Sequence, residues 1–195
     1  MARATAISAR IRFHLDAKKA TAAGAGAKAG ALAAGPSAAA ELARDALFER
    51  PVQAELVGVL LTPSGSEHFT SCVVVHGMGG TGKTVTAVAA VQDRAVRVRM
   101  SNIYWLTVGA DAVGERILAL QAMLYKQLTS KGMQEEEAKD EHERQAMLVA
   151  AMAEKQRPAL VVLDDPWLPE QVRFLDPIDN STQVYHRLLI TTRIR

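Results

Sequence analysis

Cysteine, aromatic residues and long apolar runs are all scarce in this chain. The single cysteine, Cys72, excludes an internal disulfide framework. Its place in an apolar stretch makes it a buried, unreactive thiol, and the composition fits a reducing, intracellular compartment. No apolar stretch approaches the roughly 20 residues that a membrane-crossing helix needs. With 49% hydrophobic and 5% aromatic residues in 195, the chain can hold one α/β domain of ordinary size plus a tail. The sequon Asn180-Ser181-Thr182 matters only in a secreted protein, and nothing else in the sequence points to secretion.

Acidic residues are nearly missing from the first 40 positions. Arg3, Arg10, Arg12, Lys18, Lys19 and Lys28 stand there against Asp16 alone. The overall charge of +2 therefore hides a basic tail on an acidic remainder, and the main domain is not marked as a nucleic-acid binder. Residues 20 to 40 are almost wholly alanine and glycine, which lack the large side chains needed to offset the entropy of ordering; a flexible linker is expected. Residues 1 to 18 suit either a short basic helix or an organellar transit peptide, so the cytoplasm is the expected location, with an organelle as the alternative.

Beyond the tail, apolar runs alternate with helical periodicity. Helix formers dominate from Ala38 to Leu47 and Pro51 ends that run, with a second short helix expected before the turn Thr62-Pro63-Ser64-Gly65-Ser66. Four strands are expected at Cys72 to His76, Ile103 to Val108, Leu160 to Asp165 and Leu188 to Thr192. Between them lie a helix behind Val85, one carrying Ile117, Leu120, Leu124 and Leu128, and one within Glu135 to Arg157. In that last span, Glu135 with Lys139 and Asp140 with Arg144 are spaced for helical ion pairs. Strands alternating with long helices specify a parallel sheet with helices on both faces, and its ligand belongs at the carboxyl ends of the strands.

One such end carries Gly77-Met78-Gly79-Gly80-Thr81-Gly82-Lys83-Thr84. Glycines at 77, 79, 80 and 82 free the backbone to turn successive N–H groups around an anion, and the following helix adds its positive end. In this spacing Lys83 reaches β- and γ-phosphates and the Thr84 hydroxyl ligates Mg²⁺. Asp164 and Asp165 close a buried strand, where one acid serves the Mg²⁺ ion and its neighbour can orient or deprotonate a water. Spacing alone leaves Arg193 open between a solvated surface residue and a bidentate contact to a terminal phosphate that tells ATP from ADP.

Taken in order with Tyr104-Trp105-Leu106-Thr107-Val108, Leu160 to Trp167 and Leu188 to Arg193, the loop resembles the NB-ARC family of signal-transducing P-loop NTPase switches. That family groups plant disease-resistance proteins with the animal ATPases that build apoptosomes. The Trp105 segment and the Asp-Asp-x-Trp ending are similar to the animal type, with Pro166 in place of the commoner valine. The resemblance runs from about Phe48 to the end, within an expected domain of residues 41 to 195. It implies a three-layer P-loop fold, Walker A contacts from Gly79, Gly80, Gly82, Lys83, Thr84 and Val85, Walker B acids Asp164 and Asp165, and Arg193 as the sensor of the γ-phosphate. It also implies ADP or ATP with Mg²⁺ as ligand, adenine contacts from Pro51 and Val52, and self-association through this domain.

Family members continue past the sensor arginine into a fifth strand and further domains. From this comes the expectation of a sheet truncated before its fifth strand, with Cys72 to His76 as an open apolar edge and with weak nucleotide binding and slow or absent hydrolysis. Two other readings stay open at this stage. One is a P-loop GTPase or kinase, although no Asn-Lys-x-Asp segment and no acceptor lid are visible; the other is a non-enzymatic interaction fragment that keeps the fold.

Overall fold

The computed structural model describes residues 8–12, 51–133, 140–182 and 185–193. Its elements in chain order are β1 (Ser8–Arg12), α1 (Pro51–Leu61), β2 (Cys72–His76), α2 (Lys83–Gln92), α3 (Arg94–Arg99), β3 (Asn102–Gly109), α4 (Glu115–Thr129), α5 (Glu141–Ala153), β4 (Ala159–Pro166), α6 (Pro169–Leu175) and β5 (Arg187–Thr192). The five strands form one sheet in the order β1-β2-β5-β4-β3, and every pairing is parallel.

Alternation along each strand sends side chains to opposite faces and builds two separate cores. On one face Tyr104, Leu106, Val161, Leu163, Leu188 and Ile190 pack with Leu120 and Leu124 of α4, Leu148 and Met152 of α5, and Leu175 of α6. On the other, Val73, Val75, Trp105, Leu160, Val162 and Leu189 pack with Leu56 and Leu60 of α1, Ala87 and Ala90 of α2, and Val96 of α3. The result is the three-layer α/β sandwich that the alternating sequence predicts. All four expected strands are present: Cys72–His76 has the expected bounds, β3 and β4 are each one residue longer at both ends, and β5 starts one residue earlier.

The edge beside β2 departs from expectation. Cys72–His76 is not left open: Ser8–Arg12 pairs with it in parallel, Ser8 opposite Cys72 and Arg12 opposite His76. A segment expected within a basic tail, as a helix if ordered, is a strand instead. An apolar strand such as β2 exposes a row of N–H and C=O groups if unpaired, and any extended backbone can satisfy them whatever its side chains. The Ala/Gly-rich stretch, the helix expected at Ala38 to Leu47 and the Glu135–Lys139 pair lie outside the described residues.

At the opposite edge the backbone of β3 is capped by a side chain. Gln127 of α4 accepts from the Trp105 N–H at 3.2 Å and donates to the Trp105 carbonyl at 3.1 Å. One amide thus supplies the donor and acceptor that another strand would offer.

Helix ends are set by local chemistry. Asp93 separates α2 from α3, its carboxylate accepting from the N–H groups of Ala95 and Val96. Asp140, expected to pair with Arg144, caps α5 through the N–H groups of His142 and Glu143, and Arg144 donates to the Leu118 carbonyl at 3.0 Å. At the amino-terminal end of β5 the buried Arg187 donates to the carbonyls of Thr70 and Thr62 and lies 4.4 Å from the Phe69 ring, pinning the α1–β2 connection.

Asp176 ends α6, and its Oδ1 accepts from the Ile178 N–H at 2.9 Å. Burial pushes its pKa up to about 6, against the opposing pull of that hydrogen bond. A carboxyl whose folded pKa is raised holds its proton more tightly in the native state, so stability rises as pH falls from 7 through 6 toward the unfolded value near 3.8. Two pH units at 1.36 kcal/mol each bound the effect at roughly 3 kcal/mol. Urea denaturation of Asp176→Asn at pH 8 and pH 5 is expected to show a more stable protein at pH 8 and a loss of this share of the pH dependence.

Candidate functional site

The strand register brings three chain segments to one end of the sheet. His76 stands opposite Thr192, and Asp164 opposite Thr191, so the loop after β2, the acids of β4 and the end of β5 share one rim.

The loop leaves the sheet still paired, since the Gly77 N–H donates to the Thr192 carbonyl at 3.2 Å. Gly80 and Gly82 take φ of +77° and +84°, a region where a Cβ would meet the following carbonyl. Gly82 starts α2 without a side-chain cap, so the first-turn amides of that helix point from the loop with no intrahelical partners. Thr81 Oγ1 and Lys83 Nζ both donate to the Met78 carbonyl, at 2.9 and 2.8 Å. Lys83 is only 7% exposed. Burial, and then the Arg193 charge, lower its pKa, while Asp165 and Asp164 pull the other way.

Thr84 Oγ1 donates to Asp164 Oδ1 at 2.8 Å, joining residues 80 positions apart. The same Oδ1 accepts from Thr191 Oγ1 at 2.5 Å. Burial raises the pKa of Asp164, and the hydrogen bonds from Thr191 and Thr84 oppose the rise. A threonine hydroxyl and a carboxylate at this separation are two hard oxygen donors, suited to a small divalent cation that keeps several waters and takes its remaining ligands from phosphate. Among the described residues no cluster of three or more His, Cys, Asp or Glu could hold a metal. The site therefore fits Mg²⁺ held jointly with a polyphosphate better than a closed all-protein cage.

Asp165 adopts φ of +57°, unusual for a residue with a Cβ. Its N–H is held by Thr191 Oγ1 at 3.1 Å, so one hydroxyl fixes both acids. The turned backbone presents the carboxylate to Arg193, whose Nε and Nη2 each donate at 3.1 Å. Trp167 Nε1 donates to Asp165 Oδ2 at 3.3 Å, and the Arg193 guanidinium lies 5.1 Å from the indole ring. A Cβ built on Gly79 would stand 3.5 Å from Arg193 Nη1. The arginine thus lies between the loop and the strand-end acids.

Of the residues singled out from sequence, Gly77, Gly79, Gly80, Thr81, Gly82, Lys83, Thr84, Asp164, Asp165 and Arg193 gather on this rim. Val85 follows in the first turn of α2 and is exposed. Pro51 and Val52 open α1, which packs against α2. Sequence reasoning gave no role to Thr191, Trp167 or Gln171. Gln171 Oε1 accepts from the Trp167 and Leu168 N–H groups, and its Nε2 donates to the Gly109 and Ala112 carbonyls, so it fastens the end of β4 to the end of β3. A hydroxyl opposite a strand-end acid, once the strands are paired, is the signal that picks out Thr191.

A phosphate loop on a parallel strand, with acids at the same end of the next strand but one, defines a P-loop NTPase fold with a nucleotide-binding site. The sequence pattern of the NB-ARC domain matches residues 52–195, and the chain belongs to the NB-ARC family. It is similar to apoptotic protease-activating factor 1 of Danio rerio (28% identical over 127 residues, 63% of this chain and 10% of that protein). To its counterpart in Rattus norvegicus it is 31% identical over 133 residues, 62% of this chain and 9% of that protein. The chain thus spans about a tenth of these relatives' length. In fold it is similar to a signal transduction ATPase with numerous domains from Pyrococcus horikoshii that carries a tetratricopeptide repeat sensor. That match has a TM-score of 0.50 at 18% identity and covers 77% of this chain and 21% of the other.

Replacing Thr191 by valine keeps its shape while removing the donor to Asp164 and the acceptor for the Asp165 N–H. An unpaired buried partner costs about 1–3 kcal/mol. Urea denaturation of Thr191→Val is expected to show a loss of that size, and an unchanged midpoint would mean that the hydroxyl does not hold the acids.

Proposed function

We propose that this domain is the ADP- or ATP-binding module of a signal-transducing switch, binding its nucleotide with Mg²⁺ and hydrolysing ATP slowly or not at all. The observation that carries the reading is the hydrogen bond from Thr84 to Asp164, which pairs a Walker A hydroxyl with a Walker B acid. In this reading the loop amides and the amino-terminal end of α2 take the α- and β-phosphates. Lys83 exchanges the Met78 carbonyl for phosphate oxygens, a step favoured by its burial, because a buried ammonium gains from an anion more than from a carbonyl. Thr84 and Asp164 hold the metal, directly or through water.

Asp165 is the group placed to act on a water aimed at the γ-phosphate, with Arg193 as the phosphate-reading cation. Here each carboxylate oxygen of Asp165 accepts a hydrogen bond from Arg193, which supports slow turnover. Pro51 and Val52 are assigned to the adenine side because α1 packs on the loop helix. A switch output rests on ADP and ATP making different contacts, since only differential affinity shifts a conformational equilibrium.

Isothermal titration of ADP, ATP and GTP with and without Mg²⁺ tests the reading. The wild type is expected to bind adenine nucleotides, with at least about tenfold loss on Lys83→Ala, equivalent to 1.4 kcal/mol. Phosphate release is expected to be slow in the wild type and slower still in Asp165→Asn. Equal competition by GTP would favour a different P-loop enzyme, and an unchanged Kd in Lys83→Ala would remove the loop from the site.

A further inference from the structure

Asp165, Arg193 and Trp167 form a closed group at the mouth of the site. Both oxygens of Asp165 are taken by Arg193, and Oδ2 also accepts from the indole N–H. The indole ring lies beside the guanidinium, 5.1 Å from ring centre to Cζ, so Trp167 contacts both members of the ion pair. In this arrangement Arg193 commits Nε and Nη2 to Asp165, and both oxygens of Asp165 carry a donor.

We propose that Trp167 is a positioning and specificity-determining residue that holds Asp165 and Arg193 closed on each other, and so sets the preference of the site for a nucleoside diphosphate over a triphosphate. The proposal rests on the nucleotide-binding reading above. A diphosphate is satisfied by the loop and Lys83 and leaves the pair intact. A triphosphate places its terminal phosphate beside Gly79 and the strand-end acids, where Arg193 now lies. That phosphate and the Asp165 carboxylate compete for one guanidinium. If Arg193 turns to the phosphate, Asp165 is released to a water; if it stays, two anions face each other across the site.

Trp167 stabilises only the closed arrangement, through one hydrogen bond to the acid and one ring contact to the base. The indole lines an apolar groove of about 170 Å³ together with Val74, Pro166, Leu168, Val172 and Ile190. Both side chains of the ion pair are partly exposed, 46% for Arg193 and 24% for Asp165, so the pair is weak enough for a phosphate to open.

The test compares Kd values for ADP and for a non-hydrolysable ATP analogue, each with Mg²⁺, in the full chain. Trp167→Phe removes the indole N–H and Trp167→Leu removes the ring contact as well. The ATP analogue is expected to bind about two- to fivefold more tightly in the variants, the range for an exposed ion-pair contribution. ADP affinity is expected to hold. In an Asp165→Asn background the same Trp167 substitutions are expected to have no further effect, because the group they act through is gone.

If both nucleotides shift together, or the Trp167 effect persists undiminished beside Asp165→Asn, Trp167 is only a packing residue and the proposal fails. A wild type that binds neither nucleotide sinks the nucleotide-switch reading. The grouping itself is tested without nucleotide: the indole N–H resonance lost in Trp167→Phe is expected to move in Asp165→Asn. An unmoved resonance overturns the latch while leaving the binding reading intact.

Discussion

The site depends on one parallel register. Val75 of β2 stands opposite Thr191 of β5, and Thr191 opposite Asp164 of β4. β5 lies between the loop-bearing strand and the acid-bearing strand, so no loop or acid residue needs to reach across the sheet unaided. A slip of one residue in either pairing would turn Thr191 to the other face and carry the strand's apolar side chains with it, exchanging Leu189 for Leu188 and Ile190 between the two cores. Burial of both faces thus fixes the register, and the register fixes the site. The Thr191 hydroxyl converts that alignment into chemistry, donating to one acid and accepting from the amide of the next.

Charge at the rim is arranged as two mutually restrained pairs. Lys83 and Arg193 are close enough for the arginine to depress the lysine, and the two acids are close enough for Asp165 to raise Asp164. Like charges are tolerated because each has a partner: Arg193 is held by Asp165, Asp164 by two threonine hydroxyls, and Lys83 by a loop carbonyl. In the function proposed above, a polyphosphate and its metal take the place of these partners. A carbonyl and a hydroxyl are weaker partners for an ammonium and a carboxylate than phosphate oxygens and a divalent cation are. The same geometry that satisfies the buried polar groups therefore leaves them ready to exchange partners.

The buried strands were legible from sequence because a strand covered on both faces is a run of β-branched and aliphatic residues, as in Cys72 to His76 and Leu160 to Leu163. The phosphate loop was legible because its glycine spacing answers a backbone requirement. Other parts carried no such signal. Helix α6 is seven residues long, too short for helical periodicity to separate from a loop, and its buried Gln171 reads as an ordinary polar residue. Gln127, Thr191 and Trp167 act through pairings between residues distant in the chain, visible only once the strands are aligned. Arg193 was undecided by spacing, and its position emerges from Asp165, whose left-handed backbone no propensity predicts.

The strand Ser8–Arg12 was missed by the same reasoning although Ser-Ala-Arg-Ile-Arg alternates polar and apolar residues, because five residues of alternation inside a basic, alanine-rich tail are too short a signal to outweigh that composition. What selects it is the neighbour rather than its own composition. β2 needs a partner on its outer side because it carries the loop and is covered on both faces, fully through Val73 and Val75 and partly through Val74 and Cys72, whose thiol is half-buried rather than buried as expected. Backbone pairing requires only an extended chain at the right height, and the parallel register from Ser8 to Arg12 supplies it along the full length of β2. The two flanks of the sheet are thus completed by different means, a strand beside β2 and the Gln127 amide beside β3. The strand is the stronger device, and it stands where the phosphate loop is anchored.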